Sequence, residues 1–410
     1  DLSSTDAAKL IRGKKGTTVI LHIKRIDFDE LLVFPLVRDD IKVKDVRWFG
    51  MINDNIGFIR LGRFSKNSVE ETKQALISLM GNNPNGIILD LRDNPGGLLQ
   101  SSIEILDMLV PKGELLLSTK GRIKKSNREF YSKKDPIVPE NIKLAILINN
   151  GSASASEIVS GTIQDLDRGI IIGRKSFGKG LVQSVYPLDQ KRSLKLTTAK
   201  YFIPSGRLIQ KEGYLDDDIV TDANTVDSIF STTKGRIVKG GGGITPDLIV
   251  KVPEYGSLTT ACWRKGLFFS FVQQEKNNYQ SSNHVKKNTF LLDDFSQFLE
   301  KKEIDVILSG EKLYNDTKEK LLAMDSADVD LLLAFKKIDQ FFEKKEGGLF
   351  SVESLDIYHR ILLEFANHFD GVHGRFIESF NRDIDVKKAL NYLSDKQAYN
   401  DVFTVEGLSD

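Results

Sequence analysis

The sequence predicts an α/β fold: a mostly parallel sheet core with flanking helices, followed by a helical C-terminal domain. Three observations carry this. Residues 86–91 and 143–148 are near-continuous apolar runs, the pattern of strands buried on both faces. Each leads through a Gly- or Ser-rich turn into a segment with helical apolar spacing, the βαβ rhythm of a parallel sheet. Beyond about residue 255 the chain turns amphipathic and rich in Lys and Glu over long stretches, which reads as helix.

In chain order, Ser4-Thr5-Asp6 caps a short helix that stops at Gly13, and residues 17–25 read as a strand. Some 25 residues are too few to bury a core, so residues 1–26 read as the end of a domain whose front lies outside the sequence. Residues 27–47, mixed apolar and acidic with one proline, suit a linker with short strands. The α/β core is expected over 48–254. Within it, residues 56–61 are a strand, and residues 68–80 a helix closed by Gly81. A helix over 101–109 follows the strand at 86–91, and a helix from about Ser154 follows the strand at 143–148. Residues 169–173, 193–203 and 244–252 add strand-like segments. Residues 292–303, 329–345 and 354–369 carry the helical pattern of a domain expected over 255–410.

The chain has 410 residues, room for two or three domains of roughly 100–200 residues each. It is 40% hydrophobic and 28% charged, with 58 Lys plus Arg against 57 Asp plus Glu. That composition excludes a disordered chain, and the near-zero charge argues against a nucleic-acid partner or a polybasic membrane surface. The single cysteine, Cys262, excludes an internal disulfide framework and a multi-Cys zinc site. No apolar run approaches a membrane span, and no signal peptide is present. The first residue is Asp1 and not Met, so a leader or anchor upstream is compatible with the sequence.

The stretch Asn149-Asn150-Gly151-Ser152-Ala153-Ser154-Ala155-Ser156-Glu157 joins the strand at 143–148 to a helix. A small-residue turn there aims free N–H groups and the positive helix end at whatever sits above it. A serine so placed suits nucleophilic attack, because the same N–H groups can hold the resulting oxyanion. Ordinary N-capping explains the same serine. The histidines, His22, His284, His359, His368 and His373, all lie outside the expected α/β core, which disfavours a Ser-His-Asp triad. The remaining base is a lysine whose neutral form is favoured by burial, and Lys179, between Gly178 and Gly180, is the candidate. A solvated turn explains that lysine equally. Asp90 to Leu99 supplies a second Gly-rich turn at the carboxyl end of a strand, where open parallel sheets bind ligands. Gly97 there could share an oxyanion with the Ser154 turn, although Asn-Pro-Gly-Gly is also a common tight turn.

Together these segments resemble the C-terminal processing, or tail-specific, serine peptidase family. The resemblance rests on Leu91-Arg92-Asp93-Asn94-Pro95-Gly96-Gly97-Leu98-Leu99, Gly151-Ser152-Ala153-Ser154-Ala155-Ser156-Glu157-Ile158, Gln164-Asp165, Ser176-Phe177-Gly178-Lys179-Gly180-Leu181-Val182-Gln183, Lys200 to Arg207 and Gly241 to Asp247. It spans roughly residues 4–252. It implies Ser154 as nucleophile, Lys179 as general base, and Gln183 as the residue that positions Lys179. The backbone N–H groups of Ala155 and Gly97 become the oxyanion donors, with Gly96 the weaker alternative. Asp165 also matches, but eleven helical residues place it roughly 16 Å from Ser154, a supporting position. No cofactor and no metal are implied.

The resemblance further reads residues 1–26 as the last helix and strand of a PDZ domain, which binds apolar C-termini by strand addition. It implies unfolded or tagged polypeptides with exposed apolar C-termini as substrates, and an extracytoplasmic, periplasmic setting with membrane association open. The helical tail is expected to dock on the core or to mediate self-association. Two other readings compete. Gly173 to Gly180 departs from a P-loop by one residue, with Gly180 where Ser or Thr should hold magnesium, and it leads into a strand where a P-loop opens a helix. The other is a non-catalytic protein-binding module on the peptidase fold.

Overall fold

In a computed structural model, residues 3–25, 28–41, 43–211, 228–252, 254–302, 304–324 and 328–404 are described. The contacts form two compact units, Asp1–Lys42 with Pro253–Arg382, and Val43–Val252 with Asp383–Asp410. The expected boundary at 26/27 lies outside the described residues.

The first unit begins with α1 (Ser4–Ile11), capped by the Ser3 side chain, and a hairpin of β1 (Thr18–Ile23) and β2 (Leu32–Val37). Within the stretch where short strands are expected, β2 pairs along the whole of β1.

The second unit carries the sheet that positions the site. Its strands and helices are β3 (Val46–Met51), β4 (Ile56–Leu61), α2 (Lys66–Met80), β5 (Gly86–Asp90), α3 (Leu99–Leu106), β6 (Leu115–Lys120), β7 (Arg128–Tyr131), β8 (Lys143–Ile148), α4 (Ala155–Asp165) and β9 (Ile170–Gly173). There follow β10 (Leu181–Pro187), β11 (Ser193–Phe202), the small pair β12 (Ile229–Ser231) and β13 (Ile237–Lys239), and β14 (Leu248–Ile249). The main sheet runs β14-β9-β8-β5-β4-β3, parallel throughout except for β3 at its edge. Every residue of β5 is buried, as its unbroken apolar run predicts. A second, antiparallel sheet runs β10-β11-β6-β7. The core between helices and sheet gathers Leu76, Ile87, Leu89, Ile146, Ile158 and Ile163. The expected strand at 244–252 shrinks to the two residues of β14, because Gly241 to Gly243 all hold positive φ and Asp247 is spent on Gln164, Arg236 and the Ile171 N–H.

The helices after residue 255 are α5 (Ser257–Arg264), α6 (Leu267–Glu275), α7 (Ser282–Val285), α8 (Leu291–Glu300), α9 (Glu311–Met324), α10 (Val329–Glu346), α11 (Leu349–Val352) and α12 (Ser354–Phe380). Of these, α5 to α8, α11 and α12 pack around Cys262, Phe271, Phe295, Ile361 and Phe365. Among the described residues no helix is long and apolar enough to cross a membrane.

The last two helices, α13 (Ile384–Ser394) and α14 (Lys396–Asp401), correct the boundary read from sequence. Sequence pattern assigns them to the helical domain of 255–410, yet they pack on the α/β unit. α13 buries Val386, Ala389 and Leu393, and Lys143 Nζ donates to the Leu393 carbonyl at 2.6 Å. The Tyr399 hydroxyl bridges the N–H and carbonyl of Leu144 in β8. Arg92 pairs with both Asp383 and Asp385, and Arg174 with Asp385. Arg92 and Arg60 also converge on Asp90. Burial works to raise that carboxyl, but the two guanidiniums hold it at about 2.

Candidate active site

Two turns at the carboxyl ends of neighbouring parallel strands meet here. The turn after β5 runs through Asp93, Gly96 and Gly97, all at positive φ. Gly97 pairs with Phe64 in a parallel bridge so tight that a Cβ would overlap the Phe64 carbonyl, which excludes any other residue. A Cβ on Gly96 would stand 2.8 Å from Ala155 N and 2.9 Å from Ser154 Cβ, so this glycine lies directly against the second turn.

That second turn, after β8, holds Ser154 at φ 55°, ψ −111°. A non-glycine residue there stores roughly 1–3 kcal/mol of strain, kept only where the surroundings over-determine it, and a strained strand-to-helix turn is a known way to expose a serine. The surroundings do over-determine it. Ala153 N donates to the Asn94 carbonyl at 3.0 Å, and Ser154 N donates to Glu157 Oε2 at 2.8 Å. The flanking hydroxyls are committed: Ser152 Oγ donates to the Leu91 carbonyl at 2.8 Å and Ser156 Oγ to the Asn94 carbonyl at 2.9 Å, both fully buried. Of the three serines, Ser154 alone is half-buried and lines a cavity of about 310 Å³.

The N–H groups of the two turns divide in the same way. Gly96 N donates to Asn94 Oδ1 at 2.9 Å. Among the described residues, the N–H groups of Gly97 and Ala155 have no acceptor, and both residues line the cavity. Ala155 is the first residue of α4, where the unpaired N–H groups and the helix dipole both favour negative charge.

Lys179 enters on the loop between β9 and β10 and lines the same cavity, half-buried. Its side chain makes no hydrogen bond or ion pair among the described residues, so it is not bonded to Ser154 Oγ. Such contacts commonly tighten only with substrate in place. Gln183 lies in the cavity wall on β10, exposed, beside a register shift between Val182 and Gln183, and does not bond Lys179. Asp165 stands at the far end of α4, paired with Arg207 at 2.8 Å and accepting from Ser205 N at 3.0 Å. Among the described residues it is not in the lining of the cavity that holds Ser154.

Two residues quoted in the motifs without a role emerge as organisers. Glu157, buried in the first turn of α4, accepts four hydrogen bonds: from Ser154 N, Ser176 Oγ at 2.6 Å, Gly178 N at 2.6 Å and Lys179 N at 2.9 Å. It therefore ties the serine turn to the lysine loop. Burial pushes its carboxyl up to about 7, against those hydrogen bonds, which favour the anion. The second is Tyr201, whose buried hydroxyl donates to the Lys179 carbonyl and lies 3.2 Å from the Ser154 carbonyl. The sequence signal for Glu157 was the Ser-x-x-Glu spacing of a capping box; nothing local marks Tyr201.

The family described as peptidase family S41 matches residues 55–221, the segment that supplies both turns and the lysine loop. Over that segment the chain is similar to peptidase family S41. A carboxy-terminal-processing protease of Bartonella bacilliformis is 41% identical over 219 residues, covering 52% of this chain and 50% of that protein. A probable CtpA-like serine protease of Staphylococcus epidermidis is 32% identical over 369 residues, covering 89% of this chain and 61% of that protein. The chain thus spans about half to three-fifths of the length of these S41-like relatives. Among solved structures, a photosystem II D1 C-terminal processing protease is 25% identical, with 61% of this chain and 59% of that one covered and a TM-score of 0.40.

Proposed function

We propose that this chain is the catalytic part of a serine peptidase that cleaves polypeptides at or near their C-termini through an acyl-enzyme. One observation carries the reading: a strained serine lines one cavity with two residues whose N–H groups have no acceptor, and with a lysine whose amine has no partner, among the described residues. Neutral Lys179 takes the proton of Ser154 Oγ as that oxygen bonds to the scissile carbonyl carbon. The electron pair displaced onto the carbonyl oxygen is held by the N–H groups of Ala155 and Gly97. Collapse breaks the C–N bond, and protonated Lys179 passes its proton to the leaving amine. Water then attacks the Ser154 ester, losing a proton to Lys179; the acyl C–Oγ bond breaks, Lys179 returns the proton to Ser154 Oγ, and the product leaves. Gln183 orients the Lys179 amine once substrate fills the cavity. Gly96 and Asp165 support the site structurally, Gly96 through its packing under Ser154 and Asp165 by anchoring the far end of α4.

The named relatives support substrates presented by their C-termini. On the same resemblance, residues 1–26, with α1 and β1, are the end of a PDZ domain, the substrates carry apolar C-termini, and the enzyme works outside the cytoplasm. The test is digestion of casein by the parent chain, Ser154→Ala and Lys179→Ala. Loss of cleavage in both variants is expected. Cleavage that survives Ser154→Ala would overturn the nucleophile assignment, and an inert parent would favour a binding module.

A further inference from the structure

The cavity around Ser154 contains a charged side chain that the proposed chemistry does not use. Lys195 lines it, from β11. In the β10–β11 hairpin Gln183 faces Thr197 and Val185 faces Lys195. Cross-strand partners share a face, as do residues two apart, so Lys195 stands on the same face of the ribbon as Gln183, about 7 Å further along it. Lys195 is exposed and has no hydrogen bond or ion pair among the described residues. Among the described residues no acidic side chain lines the cavity. The nearest buried carboxylate, Glu157, is turned away onto backbone amides and the Ser176 hydroxyl. The remaining walls are largely apolar, including Leu98, Ile158, Leu181 and Val182. A ligand that fits is an extended apolar peptide carrying one negative charge.

We propose that Lys195 is a specificity-determining residue that pairs with a carboxylate of the substrate, about two or three residues from the scissile bond, the reach of 7–10 Å of extended chain. The inference rests on the peptidase reading above and deepens it by naming a charge that productive substrates carry. The carboxylate is either the chain terminus or an Asp or Glu side chain. The lysine is exposed, so the effect is that of a partly screened ion pair, roughly fivefold in binding, rather than that of a catalytic group.

The test uses three apolar peptides of one sequence: with a free C-terminus, with an amidated C-terminus, and amidated with a glutamate near the end. Cleavage by the parent, Lys195→Met and Lys195→Arg is compared, and binding of the same peptides is measured in the Ser154→Ala background with Lys195 kept or changed to Met. The parent is expected to favour a carboxylate-bearing peptide over the neutral one roughly fivefold, the difference lying in KM. Lys195→Met erases the preference and Lys195→Arg keeps it. Which of the two carboxylate peptides is favoured identifies the source. A preference unchanged in Lys195→Met, or no preference in the parent, overturns the inference while cleavage itself leaves the peptidase reading standing. If no peptide is cleaved, that reading fails separately; charge-dependent binding that vanishes with Lys195→Met then still supports the carboxylate site, and binding indifferent to Lys195 refutes it.

Discussion

The two ends of helix α4 each bury a carboxylate, and they satisfy it differently. At the C-terminal end Asp165 meets a full positive charge, Arg207, itself almost wholly buried. At the N-terminal end Glu157 meets only neutral donors, three backbone N–H groups and one hydroxyl. Burial raises both carboxyls. The nearby lysine, Lys179, gives Glu157 its N–H and not its amine, which stays in the cavity beside Ser154. One carboxylate is thus a structural pin, while the other ties the backbone of Ser154 to that of Lys179 and leaves the lysine amine out of the ion pair.

Breaking the pin should cost most in stability. Arg207→Met leaves Asp165 as an uncompensated buried charge, a loss of about 3–5 kcal/mol, read by chemical denaturation, with kcat of the folded fraction close to the parent's. An equally large loss of kcat per folded molecule would mean Asp165 is no mere anchor. Glu157→Gln should act the other way: it weakens the acceptor of four donors while nearly conserving volume, so kcat is expected to fall about tenfold, corresponding to ~1.4 kcal/mol, with a smaller change in folding. Unchanged kcat would remove the organising role.

The titration of Glu157 gives a smaller and signed effect. Its folded value of about 7 lies above the usual 4.5, so between those values the folded chain keeps a proton that the unfolded chain gives up. Stability relative to Glu157→Gln is therefore complete below about pH 4.5, falls as pH rises towards 7 by roughly 1 kcal/mol per pH unit, and levels off above. Denaturation midpoints of the two proteins across pH 4.5–8 check this; a difference independent of pH would show that the carboxylate is ionised throughout. Smallest is Ser156→Ala, which removes one buried hydroxyl donor and should cost about 1 kcal/mol with activity retained. Lost activity there would shift attention from Ser154 to its neighbour.

The same contrast separates what the sequence made legible from what it did not. The strands at 86–91 and 143–148 were readable because helices cover both faces of the sheet and leave a continuous apolar run. Ser154, Ala155, Gly97, Lys179 and Gln183 were readable as short motifs, and the structure brings all five to one cavity. Glu157 was quoted but given no role, because three of its four partners come from residues 19 to 22 positions on and two of those are backbone groups with no sequence signature. The return of α13 and α14 to the α/β unit was hidden for a similar reason: Arg92 meets Asp383 and Asp385 across some 290 residues, and an amphipathic helix does not reveal which core it joins. Lys195 was invisible because its relation to the cavity depends on hairpin register.

The most direct measurement maps covalent labelling by a serine-reactive fluorophosphonate, with peptide mass spectrometry on the parent and on Lys179→Ala. Modification is expected at Ser154 in the parent, sharply slowed when Lys179 is removed, with none at the buried Ser152 or Ser156. Labelling at either neighbour, or labelling of Ser154 indifferent to Lys179, would contradict it.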